Sequence, residues 1–121
     1  MKDERTYLLH AIAAIDAIQS YTIGGREAFF SDGKTQDAVI RNIEIIGQAI
    51  KGISGDTRAL DMAVPWRQIA GMRDKLIHEY FGVDLALVWD VVERELPDLR
   101  PRLEGLSQRL AESASAESRS A

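Results

Sequence analysis

Arg73, Asp74, His78 and Tyr80 are the residues of this chain whose types and spacing can do chemistry together. Asp74 and His78 stand four apart, which makes them neighbours on a helix. A carboxylate beside an imidazole fixes its tautomer and raises its pKa, preparing it to exchange protons near neutrality. Arg73 and Tyr80, seven apart, fall on nearly one line and can grip a single anion, one by a forked hydrogen bond and the other by its hydroxyl. Such a set can cleave RNA without a metal. Histidine handles the proton of a ribose 2′-hydroxyl as it attacks the adjacent phosphate, or protonates the leaving 5′-oxygen. Arginine stabilises the charge that develops on the phosphorus-bound oxygens. The product is a 2′,3′-cyclic phosphate, and DNA, lacking the attacking hydroxyl, is spared.

The element that must position these groups is the stretch 66–80, WRQIAGMRDKLIHEY, whose spacing predicts one helix ending near Phe81–Gly82. Its expected apolar stripe is Trp66, Ile69, Ala70, Leu76, Ile77 and Tyr80, with Arg73 inside it. An arginine on a core-facing line is costly unless an anion meets it, because it cannot shed its charge. Five residues on an ideal helix set His78 about 140° round the axis from Arg73. The two converge only if the helix loosens before Gly82, or if two copies line a shared cleft across a symmetric dimer.

Around that helix the periodicity predicts three more. The first runs from Glu4 to about Tyr21 on the face Leu8, Ala11, Ile12, Ile15 and Ile18, and Gly24 and Gly25 stop it. A polar connection over 24–35 follows, pinned by Phe29 and Phe30. The second helix runs from about Gln36 to Ile53, and its apolar breadth implies a central position or a subunit interface, with Gly47 allowing close approach. Residues 54–65 connect to Pro65, which suits the first turn of the next helix. Asp84 caps a fourth helix with the face Leu85, Val88, Trp89, Val92 and Leu96, which Pro97 breaks or restarts. Leu99, Leu103, Leu106 and Leu110 mark a short last helix. The fold class is therefore all-α, an up-and-down bundle of four main helices plus a short C-terminal helix. Residues 1–110 form the domain, and 111–121 a polar tail expected to be disordered.

Composition narrows the function classes. The 121 residues are 45% hydrophobic and 28% charged, which suits one core. There is no cysteine and only His10 and His78, so neither thiolate nor multi-histidine metal chemistry is expected. No apolar run reaches the roughly 20 residues that span a bilayer, and the first residues lack a secretory core; a cytoplasmic protein is expected. Net charge is −4, so contact with a polyanion must come from a local cluster. Arg67, Arg73, Lys75 and Arg94 are the candidates.

Residues 73–80, R-D-K-L-I-H-E-Y, resemble the R-x4-H-x-Y signature of the HepT-type toxins of the HEPN superfamily. RNIEIIGQA at 41–49, W-x2-I-A-G-M-R at 66–73 and H-x-Y-F-x-V-D-x4-W at 78–89 resemble the helices around it. The resemblance implies a dimeric helical bundle and a metal-independent endoribonuclease, with Arg73 and His78 at the catalytic positions, Asp74 supporting them, and no cofactor. It also implies an MntA-type nucleotidyltransferase antitoxin that silences the site by transferring AMP onto Tyr80, adding bulk and negative charge where an RNA phosphate sits. Two positions depart from the family's usual pattern. Asp74 stands where Asn is common, and Gln48 where Glu is common. The rival reading is a non-catalytic nucleotide- or RNA-binding helical module partnering a nucleotidyltransferase; a plain dimerisation domain is a third.

Overall fold

The computed structural model describes the backbone at residues 3–78 and 82–120, and side chains at 3–76 and 82–117. It is an all-α bundle, as the periodicity predicts. Helix α1, Glu4–Tyr21, begins at Asp3, whose side chain accepts from the Arg5 N–H, and buries Leu8, Ala11, Ile12, Ala14, Ile15 and Ile18. The expected connection over 24–35 contains a helix of its own, α2, Gly25–Ser31, entered through Gly25 at φ 86°. Phe29, 1% exposed, anchors it. Helix α3, Gly33–Lys51, has Asp32 as N-cap and buries Val39, Ile43, Ile46, Gly47, Ala49 and Ile50.

α3 is the central helix, packed against α1 and α2 and against two short helices, α5, Trp66–Ala70, and α6, Met72–Leu76. Gly47 is where α5 comes close: a Cβ there would meet the carbonyl oxygens of Ile69 and Ala70 at 3.4 and 3.6 Å. The connection before α5 holds the single turn α4, Gly55–Arg58. Arg58 reaches back to the end of α3, donating to the carbonyls of Ile53 at 3.0 Å and Ile50 at 2.9 Å. Both carbonyls lie at the end of α3, where helical N–H partners run out, although the Ile50 oxygen also accepts from the Ile53 N–H at 3.1 Å. Trp66 Nε1 donates to the carbonyls of Arg58 and Asp61, both at 3.0 Å, so the connection sets where α5 starts.

The motif helix differs from its expected form. It is interrupted at Gly71 and stops at Leu76 instead of running on to Tyr80. The chain then enters a two-residue strand, β1, Ile77–His78, paired antiparallel with β2, Gly82–Val83, His78 opposite Gly82. Gly82 has φ 76°, the left-handed conformation expected of it, here at the start of β2 instead of a helix cap. The Asp84 N–H donates to the Leu76 carbonyl at 2.9 Å, so the returning strand satisfies the end of α6.

Asp84 caps α7, Leu85–Asp90, by accepting from the Leu87 N–H. A π-helical turn, Val91–Glu95, follows, in which the Leu96 N–H bonds the Val91 carbonyl. It leads into α8, Leu96–Ser120. The widened turn lets the chain carry Pro97 without ending the helix, because the wider loop relieves the clash a proline makes with the preceding turn. The C-terminal helix, expected to be short, is thus the longest described, at 25 residues. It also continues through most of 111–121, the segment expected to be a disordered tail, although no residue of 111–117 is buried. Leu96, Leu99, Leu103 and Leu106 are its buried face, and α8 packs on α1. No helix among the described residues is long and apolar enough to cross a membrane.

Candidate functional site

Trp66, Ile69 and Leu76 of the expected stripe are buried, but Met72, not Arg73, completes the buried line of α5 and α6. Met72 takes the core position and turns Arg73 outward, with 55% of its side chain exposed. The cost argued for a core arginine is therefore never incurred. What meets the guanidinium is an anion from another helix: Arg73 Nε lies 3.5 Å from Glu44 Oε1, and its Nη1 lies 3.7 Å from Asp74 Oδ1. Glu44 also sits 3.8 Å from Arg41, one turn earlier on α3. All three are long ion pairs at a wet surface, each contributing about 1 kcal/mol or less. The two that involve Arg73, with Glu44 and Asp74, orient it without saturating its five donors.

Arg73 borders a groove of about 410 Å³ between α1, α3 and the α5–α6 pair. Tyr7 and His10 of α1 line it, with Arg41, Glu44, Gln48 and Lys51 of α3. Three of the four formally charged residues around it, Arg41, Lys51 and Arg73, are cationic, in a chain whose net charge is −4. Of the cations expected at a polyanion site, only Arg73 lies here. Lys75 faces another groove beside Asp90 and Glu95, and Arg94 is paired with Asp90 at 3.3 Å. Arg41, Glu44 and Lys51 lie off the apolar stripe of α3, so the hydrophobic period that reveals this helix does not mark them. The signal was present as a second line, Arg41, Glu44, Gln48 and Lys51, at spacings of three, four and three.

His78 is in an extended strand two residues past the end of α6, so the angular separation calculated for a continuous helix does not apply to it. Its side chain, and Tyr80 altogether, lie outside the described residues. Asp74, 82% exposed in its side chain, is described only as a partner of Arg73.

Residues 11–106 match the family described as Ribonuclease HepT-like. The chain belongs to that family. Among relatives of this HepT-like chain is a Thermococcus cleftensis protein named "Probable ribonuclease HepT", 44% identical over 109 residues, covering 87% of this chain and 96% of that protein. A Caldanaerobacter subterraneus protein named as an RNase is 38% identical over 110 residues, covering 90% of this chain and 98% of its own. A Methanocaldococcus jannaschii protein, whose name joins a gamma-glutamylcyclotransferase to an RNase, is 46% identical over 103 residues; these cover 84% of this chain but only 46% of that protein. No solved structure matches.

Proposed function

We propose that this HepT-like chain is an endoribonuclease toxin of the cytoplasm that cuts RNA through 2′-hydroxyl attack, without a metal, in a cleft of a homodimer. The observation that carries the proposal is the exposed Arg73 guanidinium at the edge of a cationic groove on an acidic protein. Arg73 stabilises the phosphorane oxygens, His78 moves the proton, and Asp74 supports them through its contact with Arg73. Two copies of the site facing each other would supply the cleft. The family and the ribonuclease names of the relatives support the same chemistry. An MntA-like nucleotidyltransferase antitoxin silences the toxin by AMPylation of Tyr80, and the segment after residue 110 plays no part in catalysis.

The test is cleavage of RNA by purified protein in excess chelator. Wild type should cut and leave 2′,3′-cyclic phosphate ends. Arg73→Ala and His78→Ala should each lower kcat by about 10²–10³-fold, the range of a lost charge stabiliser or proton-transfer group. Cleavage by either variant within about tenfold of the wild-type rate would refute the site. Intact mass after co-expression with the nucleotidyltransferase should rise in AMP-sized steps that Tyr80→Phe abolishes.

The non-catalytic binding reading gains from one observation, that Glu44 and Asp74 both place negative charge beside Arg73. Unmodified wild-type protein that binds RNA tightly but never cuts it would decide for that reading.

A further inference from the structure

The Arg73 end of the groove has just been read as the place of chemistry, yet the groove continues along α3 beyond any group that reaction needs. Arg41 and Lys51 both line it, ten residues apart, which is about 15 Å along a helix at 1.5 Å per residue. That span exceeds what one phosphate occupies. Neither cation has a role in the reaction as drawn. Arg41 is 72% exposed, with Glu44 at 3.8 Å as the one ion-pair partner described for it, and no salt bridge is described for Lys51.

Tyr7 also lines the groove, half-buried against the core, its ring lying so close over Gly52 that a Cβ there would come within 2.9 Å of it. An aromatic ring beside cations along one groove is how single-stranded nucleic acid is held without reading its sequence. The opposite face of α5 and α6 has the wrong sign for this. The groove of about 760 Å³ there carries Glu95 and Asp98, and its one arginine, Arg102, is held by Asp61 at 3.0 Å.

Resting on the nuclease reading above, we infer that the α1–α3 groove is an RNA-backbone track, in which Arg41 and Lys51 bind phosphates flanking the one held by Arg73. The track sets how tightly a long single strand is held and leaves the chemical step alone. Glu44, paired with Arg41 at 3.8 Å and with Arg73 at 3.5 Å, stands between them and repels a phosphate that would bridge both.

Binding of a labelled single-stranded oligoribonucleotide, measured by fluorescence anisotropy against salt, tests this in a His78→Ala background where the RNA stays whole. Each phosphate contact contributes about 0.7 to the slope of log K against log salt for a single strand. Arg41→Ala/Lys51→Ala should therefore lower the slope by about 1.4 and weaken binding by about 25-fold at ~0.1 M salt, the difference fading towards 1 M. Gln48→Lys, which adds a cation between them, should tighten binding and steepen the slope by about 0.7. With His78 intact, the double variant should raise KM for long RNA and leave kcat within twofold. Unchanged slope and affinity in both variants, with helicity retained by circular dichroism, would overturn the track. Wild-type protein that cuts nothing would sink the nuclease reading alone, because the binding slopes still decide the track.

Discussion

Glu4→Ala should loosen the connection that positions the motif helices, at a distance from every residue assigned to chemistry. Glu4, in the first turn of α1, accepts from the Ser54 backbone N–H through one oxygen and from Thr57 Oγ1, at 2.6 Å, through the other. Thr57 is 4% exposed, so its hydroxyl has little water to turn to. Hydrogen bonds to a charged group contribute about 1.5–3 kcal/mol each. Glu4 is only partly buried, and Ser54 Oγ stays 3.3 Å from Thr57 Oγ1 as a substitute partner, so the loss for the pair should be about 2 kcal/mol. An unfolding entropy of about 0.25 kcal/mol/K for a chain of this length makes that a fall of about 8 °C in Tm. Partial burial raises the Glu4 carboxyl, and the bonds from Thr57 and Ser54 outweigh it, so it lies below its ordinary value of 4.5. A lowered folded-state pKa contributes stability above the unfolded value and loses it as pH falls through the folded one. The gap in Tm between wild type and Glu4→Ala should thus be full at pH 7 and shrink below pH 4.5. Calorimetric melts at both pH values read it. Equal Tm at pH 7, or a gap that persists in acid, would refute the carboxylate clamp.

Gly47→Leu should lower Tm by about 4–12 °C, from the roughly 1–3 kcal/mol of overpacking, because the Ile69 and Ala70 carbonyls leave room for little beyond a Cβ; Gly47→Ala should be tolerated. Gly82→Ala, forced to φ 76°, should cost about 1–2 kcal/mol by denaturant titration, with Gly82→Asn costing less. Phe29→Ala should cost about 3–5 kcal/mol, since its ring packs edge-on against Phe30 and tilted on Trp89 at 5.3 Å each.

Helices whose apolar face is one long, unbroken line were legible in the sequence. The α1 bounds agree with the expected Glu4 to about Tyr21, and α3 starts only a few residues early because Asp32, not the stripe, caps it. The motif was legible as residue types but not as geometry. Ile77 continues the helical period yet lies in a strand, because the β1–β2 pairing and the Asp84–Leu76 hydrogen bond turn the chain back. Two-residue strands are too short to show an alternating pattern. Met72, not Arg73, enters the core because the interruption at Gly71 changes the phase between α5 and α6. The partner of Arg73 could not be read from local spacing, because Glu44 comes from another helix and reaches it only through tertiary packing.

The π-helical turn at Val91–Glu95 makes this the one place in the C-terminal helical run where the chain can be shortened without penalty to its register. The turn holds one residue more than ordinary winding would. Deleting one of the five should close it to an α-helical turn and leave Leu99, Leu103 and Leu106 still facing α1. The same deletion between Leu99 and Leu103 has no widened turn to absorb it, and would rotate Leu103 and Leu106 by about 100° away from α1. Natural length variants of this fold should therefore accumulate within 91–95 and in the irregular stretch 59–64, and not along α8.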